Sequence, residues 1–95
     1  MNYLNYNTGQ LFIDGKKYEL TKSETELLKT LASNELKTYA EIYNLLYKTN
    51  VLEIENTLRG SINSHIYRLR KKGLIIKTKY GYGVRLVNKI GVKIW

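Results

Sequence analysis

Hydrophobic periodicity changes twice along this chain, and that ordering restricts the fold more than any other feature. Up to Leu20 the apolar residues alternate in short runs. "QLFIDGKKYEL" places two stretches of β-formers on either side of Asp14-Gly15, a dipeptide suited to the positive φ angles of a tight hairpin. Strands are expected near Tyr3–Tyr6, Gln10–Ile13 and Lys17–Leu20. In "TKSETELLKTLASNE" the period lengthens, because Leu27, Leu28 and Leu31 recur at helical spacing. Thr21 or Ser23 can cap the first turn, and Glu24 and Glu26 suit its positive end. A helix is expected from about Ser23 to Ser33. In "TYAEIYNLLYK" Thr38 is the N-cap and Ile42, Leu45 and Leu46 the buried face, giving a second helix from about Tyr39 to Tyr47. Residues 48–56 read as a loop with room for a short helical turn.

A third helix begins near Leu58, buries Ile62, Ile66 and Leu69, and ends before Gly73, which can take the left-handed conformation that closes a helix. The two-residue period then returns. "LIIKTKYGYGVRLV" reads as strand, turn and strand with Tyr80-Gly81-Tyr82-Gly83 at the bend. The final "KIGVKIW" offers one more strand or a loosely packed end. The expected class is α+β, a winged helix-turn-helix with a short N-terminal antiparallel sheet, three helices and a C-terminal β-hairpin wing. One domain, 1–95, divides into sheet (1–20), three-helix core (21–73), wing (74–88) and C-terminal extension (89–95).

With 95 residues and no cysteine, the chain has one small core and neither disulfides nor thiolate metal sites, so apolar burial must hold it together. No apolar run approaches the ~18–20 residues of a membrane span, and "MNYLNYNTGQ" lacks the features of a signal peptide. The expectation is a soluble, cytoplasmic protein with no membrane partner.

The net charge of +8 is unevenly placed. Met1 to Leu58 carries eight acids against six lysines, a balance of −2, whereas Arg59 to Trp95 carries ten cations and no acid, a balance of +10. Such self-repulsion costs stability and is tolerated where a polyanion neutralises it. The cations crowd the third helix and the wing. At about 3.6 residues per turn, positions 61, 64, 65, 68 and 72 share one face while 62, 66 and 69 share the core face. Ser61 and Ser64 are short enough to let a backbone approach base edges in a DNA major groove, and Arg68, one turn on, can reach guanine bidentately. Arg70, Lys71 and Lys72 suit phosphates, or simply the negative end of the helix. His65 is the sole histidine and reads as a phosphate or backbone contact, since nothing near it suggests a metal site. Double-stranded DNA is the expected partner.

Three motifs resemble a known family, the winged-helix DNA-binding domain of OmpR/PhoB-type response regulators. "LTKSETELLKTLA" is similar to that family's entry to its first helix, "INSHIYRLRKK" to its recognition helix, and "TKYGYGVRL" to its wing. The resemblance spans about Leu11 to Leu86. It implies a four-stranded N-terminal sheet, recognition by the third helix and control of transcription. Carried over by position, Arg68 is the base-reading arginine, with Ser61 and Ser64 on its face and His65, Arg70 and Lys71 meeting phosphates or packing beside them. The remaining candidate DNA contacts are Arg59, Lys72, Lys77, Lys79, Tyr80 and Arg85. The family's arginine at the start of the recognition helix falls at Gly60, its wing-tip arginine at Tyr80 and its wing tyrosine at Val84. The usual receiver domain has no counterpart in the sequence, so switching by receiver phosphorylation is not expected. Further partners implied are a second copy on tandem half-sites and RNA polymerase through the 48–57 loop.

No nucleophile on a strained turn and no usefully spaced carboxylate pair is present, so the chain reads as a non-enzyme without cofactor. Two other classes share its charge. A protein-interaction winged helix would offer the basic face to an acidic partner, and a general RNA or single-strand binder would use exposed stacking aromatics.

Overall fold

The computed structural model describes residues 2–50, 52, 56–79 and 82–94. Strands β1 (Tyr3–Asn5), β2 (Gln10–Ile13) and β3 (Lys16–Glu19) form an antiparallel meander in the expected places. The β2–β3 turn has φ of +48° at Asp14 and +79° at Gly15, the two positive angles for which Asp-Gly is suited. Leu4, Leu11 and Ile13 point into the core. On the outer face Tyr3 stacks on Phe12 with ring centroids 4.5 Å apart.

Helices α1 (Lys22–Leu31) and α2 (Tyr39–Tyr47) both start with the same reciprocal device. Thr21 accepts from the Glu24 amide at 3.2 Å while Glu24 accepts from the Thr21 amide at 2.9 Å; Thr38 and Glu41 repeat the pattern at 3.0 and 3.3 Å. Each box satisfies two amides that the first turn leaves unpaired. Leu27, Leu28 and Leu31 of α1 meet Ile42 of α2 in the core. Leu45, expected on the buried face of α2, is instead 56% exposed. The inward stripe of α2 is narrow, carried by Tyr39, Ile42 and the partly buried Leu46, and Leu45 falls outside it beside Lys29 and Lys37.

Helix α3 (Asn56–Lys71) starts two residues before the expected position. It closes on Gly73 at φ +100°, with the Leu74 amide reaching Leu69 O at 3.4 Å and the Gly73 amide reaching Arg70 O at 3.1 Å. That double bond pattern is the glycine-terminated C-cap, and Leu69 and Leu74 make its buried apolar contact. Strands β5 (Ile76–Lys79) and β6 (Gly83–Leu86) follow as the hairpin. Three helices followed by this hairpin give the winged helix-turn-helix arrangement anticipated from the periodicity.

One strand was not anticipated, and another settles an alternative that the sequence left open. β4 (Lys37–Thr38), just ahead of α2, pairs with β6 to give a three-stranded sheet ordered β4-β6-β5. Gly83, read from the sequence as part of the bend, lies in β6 opposite Thr38, where a side-chain Cβ would overlap the Lys37 carbonyl. Of the two options for the terminal residues, the added strand is the one formed. β7 (Gly91–Lys93) runs parallel to β1 with Val92 opposite Leu4, completing a four-stranded sheet ordered β3-β2-β1-β7. This sheet is therefore mixed, with its fourth strand supplied from the far end of the chain.

Candidate nucleic-acid interface

Helix α3 has a core side, an outward side and two flanks, each with a different use for its side chains. Ile62, Ile66 and Leu69 are at most 1% exposed and face the core. At about 100° per residue, the positions opposite them are 60, 64, 67 and 71, with 61 and 68 alongside. Gly60, Ser61, Ser64, Tyr67, Arg68 and Lys71 are all exposed. This outward surface begins with small groups and becomes cationic toward its C-terminal half. Ser64 donates back to Gly60 O at 3.1 Å, which keeps its hydroxyl close to the helix.

The flank facing α1 carries His65 and Lys72, both half-buried rather than on the outward surface. The sequence stripe that included them is thus rotated toward α1 relative to the face that solvent reaches. Lys72 Nζ lies 3.6 Å from Glu24 Oε2, a carboxylate that is itself buried. Burial raises the Glu24 carboxyl, but the Thr21 amide and hydroxyl and the Lys72 ammonium together hold it below the usual carboxylate range. His65 Nδ1 is 2.9 Å from Arg68 Nη1. A guanidinium only donates, so the imidazole accepts and is neutral at Nδ1. Burial pushes His65 below its usual range, the Arg68 charge acts in the same direction, and Glu24 opposes both.

The opposite flank carries Arg70, which is turned onto the wing. Its Nε and Nη2 donate to Ile76 O at 3.0 and 2.6 Å, and Nη2 also reaches Thr78 Oγ1 at 3.0 Å. This fork satisfies a strand carbonyl and ties β5 to the end of α3. At the other end of α3, Tyr39 donates to Asn63 Oδ1 at 3.1 Å and Tyr47 lies 3.3 Å from Ser61 Oγ, so α2 positions the start of the outward face. The Arg59 guanidinium sits 5.3 Å from the Tyr39 ring centroid, with its Nε buried and unpaired.

In the wing, β5 and β6 are in register with Lys77 opposite Arg85 and Lys79 opposite Gly83. Alternation puts Ile76, Val84 and Leu86 inward and leaves Lys77, Lys79 and Arg85 exposed. Like charges directly opposite one another in a hairpin are destabilising, so this three-cation face costs the isolated fold. Lys79 Nζ also lies 5.3 Å from the Tyr82 ring centroid. Tyr80, a sequence candidate, lies outside the described residues.

The expected site residues therefore divide. Ser61, Ser64, Arg68 and Lys71 share the outward face of α3, and Lys77, Lys79 and Arg85 share the face of the wing. Arg70, Lys72 and His65 are engaged within the fold. Tyr67 was not anticipated, although its spacing of three from Ser64 and four from Lys71 places it opposite the core line.

Three solved structures of similar fold are DNA-binding domains. The DNA-binding domain of Bacillus subtilis CssR aligns with a TM-score of 0.70 at 21% identity over 92% of this chain and 100% of that one. The DNA-binding domain of Escherichia coli CpxR gives 0.68 at 23% identity over 93% and 88%. The DNA-binding domain of E. coli CadC gives 0.65 at 18% identity over 86% and 81%. No protein-family model and no curated protein matches the chain.

Proposed function

We propose that this chain is a sequence-specific, double-stranded DNA-binding transcriptional regulator of the OmpR/PhoB type, and not an enzyme. One observation carries the reading. The outward face of α3 is small at its N-terminal half and cationic at its C-terminal half, and the adjoining wing exposes three cations on one face, two of them directly opposite each other. An α-helix of this shape fits the major groove, where short side chains permit close approach and an arginine can reach base edges. The like-charged wing gains from phosphates the neutralisation its own fold does not provide. Arg68 is assigned to a base edge, and Lys71, Lys77, Lys79 and Arg85 to phosphates. The three structural neighbours, each a DNA-binding domain, support the same reading.

Two copies on half-sites roughly 10–11 base pairs apart are part of this proposal, because one small module contacts few base pairs. RNA polymerase as a partner of residues 48–57 and a cytoplasmic location belong to the same reading. Among the described residues, no helix is long and apolar enough to cross a membrane.

The test is binding to duplex DNA, single strands and RNA at matched salt. With about five phosphates neutralised, log K for the duplex should fall against log salt with a slope of about −4 to −5. Equal affinity for all three polymers, or a slope near zero, rejects the proposal.

A further inference from the structure

We propose that Tyr67 reads thymine: its ring, on the outward face of α3, packs against the C5-methyl group of one thymine in the preferred site and makes affinity depend on that methyl. The inference rests on the reading of α3 as the recognition helix.

Along α3 from Arg59 to Lys71, Tyr67 is the one large apolar side chain left exposed, at 58%. The other tyrosines near this helix are used differently. Tyr39 and Tyr47 place their hydroxyls on Asn63 and Ser61, whereas the Tyr67 ring carries the Lys71 ammonium 5.0 Å from its centroid. Lys71 thus holds one side of the ring and extends its charge beyond it. Ser64, one turn before, leaves room beside the ring, and Arg68 follows it directly.

Base stacking inside a duplex hides the faces of the bases, so a ring entering the major groove meets only their edges. Those edges are mainly hydrogen-bond donors and acceptors, and the one methyl group among them is that of thymine. Covering a donor or acceptor with an aromatic ring leaves it unpaired and costs free energy. Covering the methyl costs nothing polar and removes apolar area from water on both partners. The chemistry of the groove therefore selects thymine as the partner of an exposed ring at the middle of this helix.

Preferred duplexes would be enriched from a random pool with the wild-type chain, and each thymine then replaced singly by deoxyuridine, which lacks only the methyl. One position per bound copy should lose about fourfold in affinity, the worth of one buried methyl. That loss should persist in Tyr67→Phe and vanish in Tyr67→Ala, with circular dichroism confirming that both variants fold. A deoxyuridine penalty of equal size in wild type and Tyr67→Ala, or no thymine whose methyl matters, overturns the inference while leaving the chain a DNA binder. Failure to enrich any duplex would instead overturn the proposed function, and the thymine contact with it.

Discussion

Arg68 donates to His65 Nδ1 at 2.9 Å across one turn of α3, so the side chain assigned to a base edge is oriented by an imidazole that must be neutral to accept. An arginine held by a neighbour loses less rotamer freedom when it forms a bidentate contact. Protonation of His65 would remove the acceptor and set two cations against each other. Preference for the selected site over random DNA should therefore narrow as the pH falls below the ordinary imidazole range, while affinity for random DNA holds or rises with the added charge. A His65→Gln variant should lose this pH dependence. A preference that is flat between about pH 5 and 8 in the wild-type chain would refute the orienting role.

The same group bears on stability. Burial first, then Arg68, hold the folded His65 below the ordinary imidazole range, so the unfolded chain takes up a proton at higher pH than the folded one. The contribution is complete above the unfolded value of about 6.5 and is lost as pH falls through the lower folded value. Glu24 is also held low in the fold, and its contribution is lost further down, below about 4.3. Thermal melts should show a falling midpoint from about pH 6.5 downward, with the first part of the fall absent in His65→Gln.

Neighbouring cations on α3 should separate by role. Arg68→Ala should cost ~1–3 kcal/mol on the preferred site and little on random DNA, because a bidentate base contact discriminates and a phosphate contact does not. Lys71→Ala should weaken all sequences and reduce the salt slope by about one unit. Arg70→Ala should behave differently from both, since its guanidinium is spent on Ile76 O and Thr78 Oγ1. Its main effect should be about 1–2 kcal/mol of stability. Titrations at several salt concentrations, paired with melts, distinguish the three outcomes.

Gly83→Ala should destabilise the fold by roughly 1–3 kcal/mol, because the added Cβ overlaps the Lys37 carbonyl and must push β4 from β6. Gly15 has open space around it, so a loss there would come from its positive φ instead. Amide exchange at Lys37 to Tyr39 would locate the Gly83 effect. Unchanged protection in that segment would count against the overlap.

Ending the chain after Asn88 removes β7 and leaves the edge of β1 open. Leu4 loses Val92 as its neighbour, and the bonds from the Tyr6 amide to Lys93 O at 2.9 Å and from the Gly91 amide to Asn2 O at 3.1 Å are lost. A loss of about 2 kcal/mol follows, or roughly 8–16 °C in melting midpoint for a chain of this size. An unaltered melt would show that β7 contributes nothing to the fold.

Local features account for what could be read in advance. Thr38 ahead of Glu41, the Ile62, Ile66 and Leu69 line, Asp14-Gly15 and Gly73 act over a few residues of chain. Their geometry follows from periodicity, capping and permitted φ angles alone. The charge imbalance was likewise plain from counting, and it pointed to the third helix and the wing. What required the tertiary structure was every choice of distant partner. Nothing local tells Lys37–Thr38 to pair with β6, or Gly91–Lys93 with β1, because a strand of two or three residues carries almost no pattern and its ladder is completed by chain far away. The cations were indistinguishable for the same reason. Arg68, Arg70 and Lys72 sit within five positions at the end of one helix, yet a turn of about 100° per residue points them toward solvent, the wing and the buried carboxylate of Glu24 respectively. Which of them remain free for a polyanion depends on which element packs against each flank.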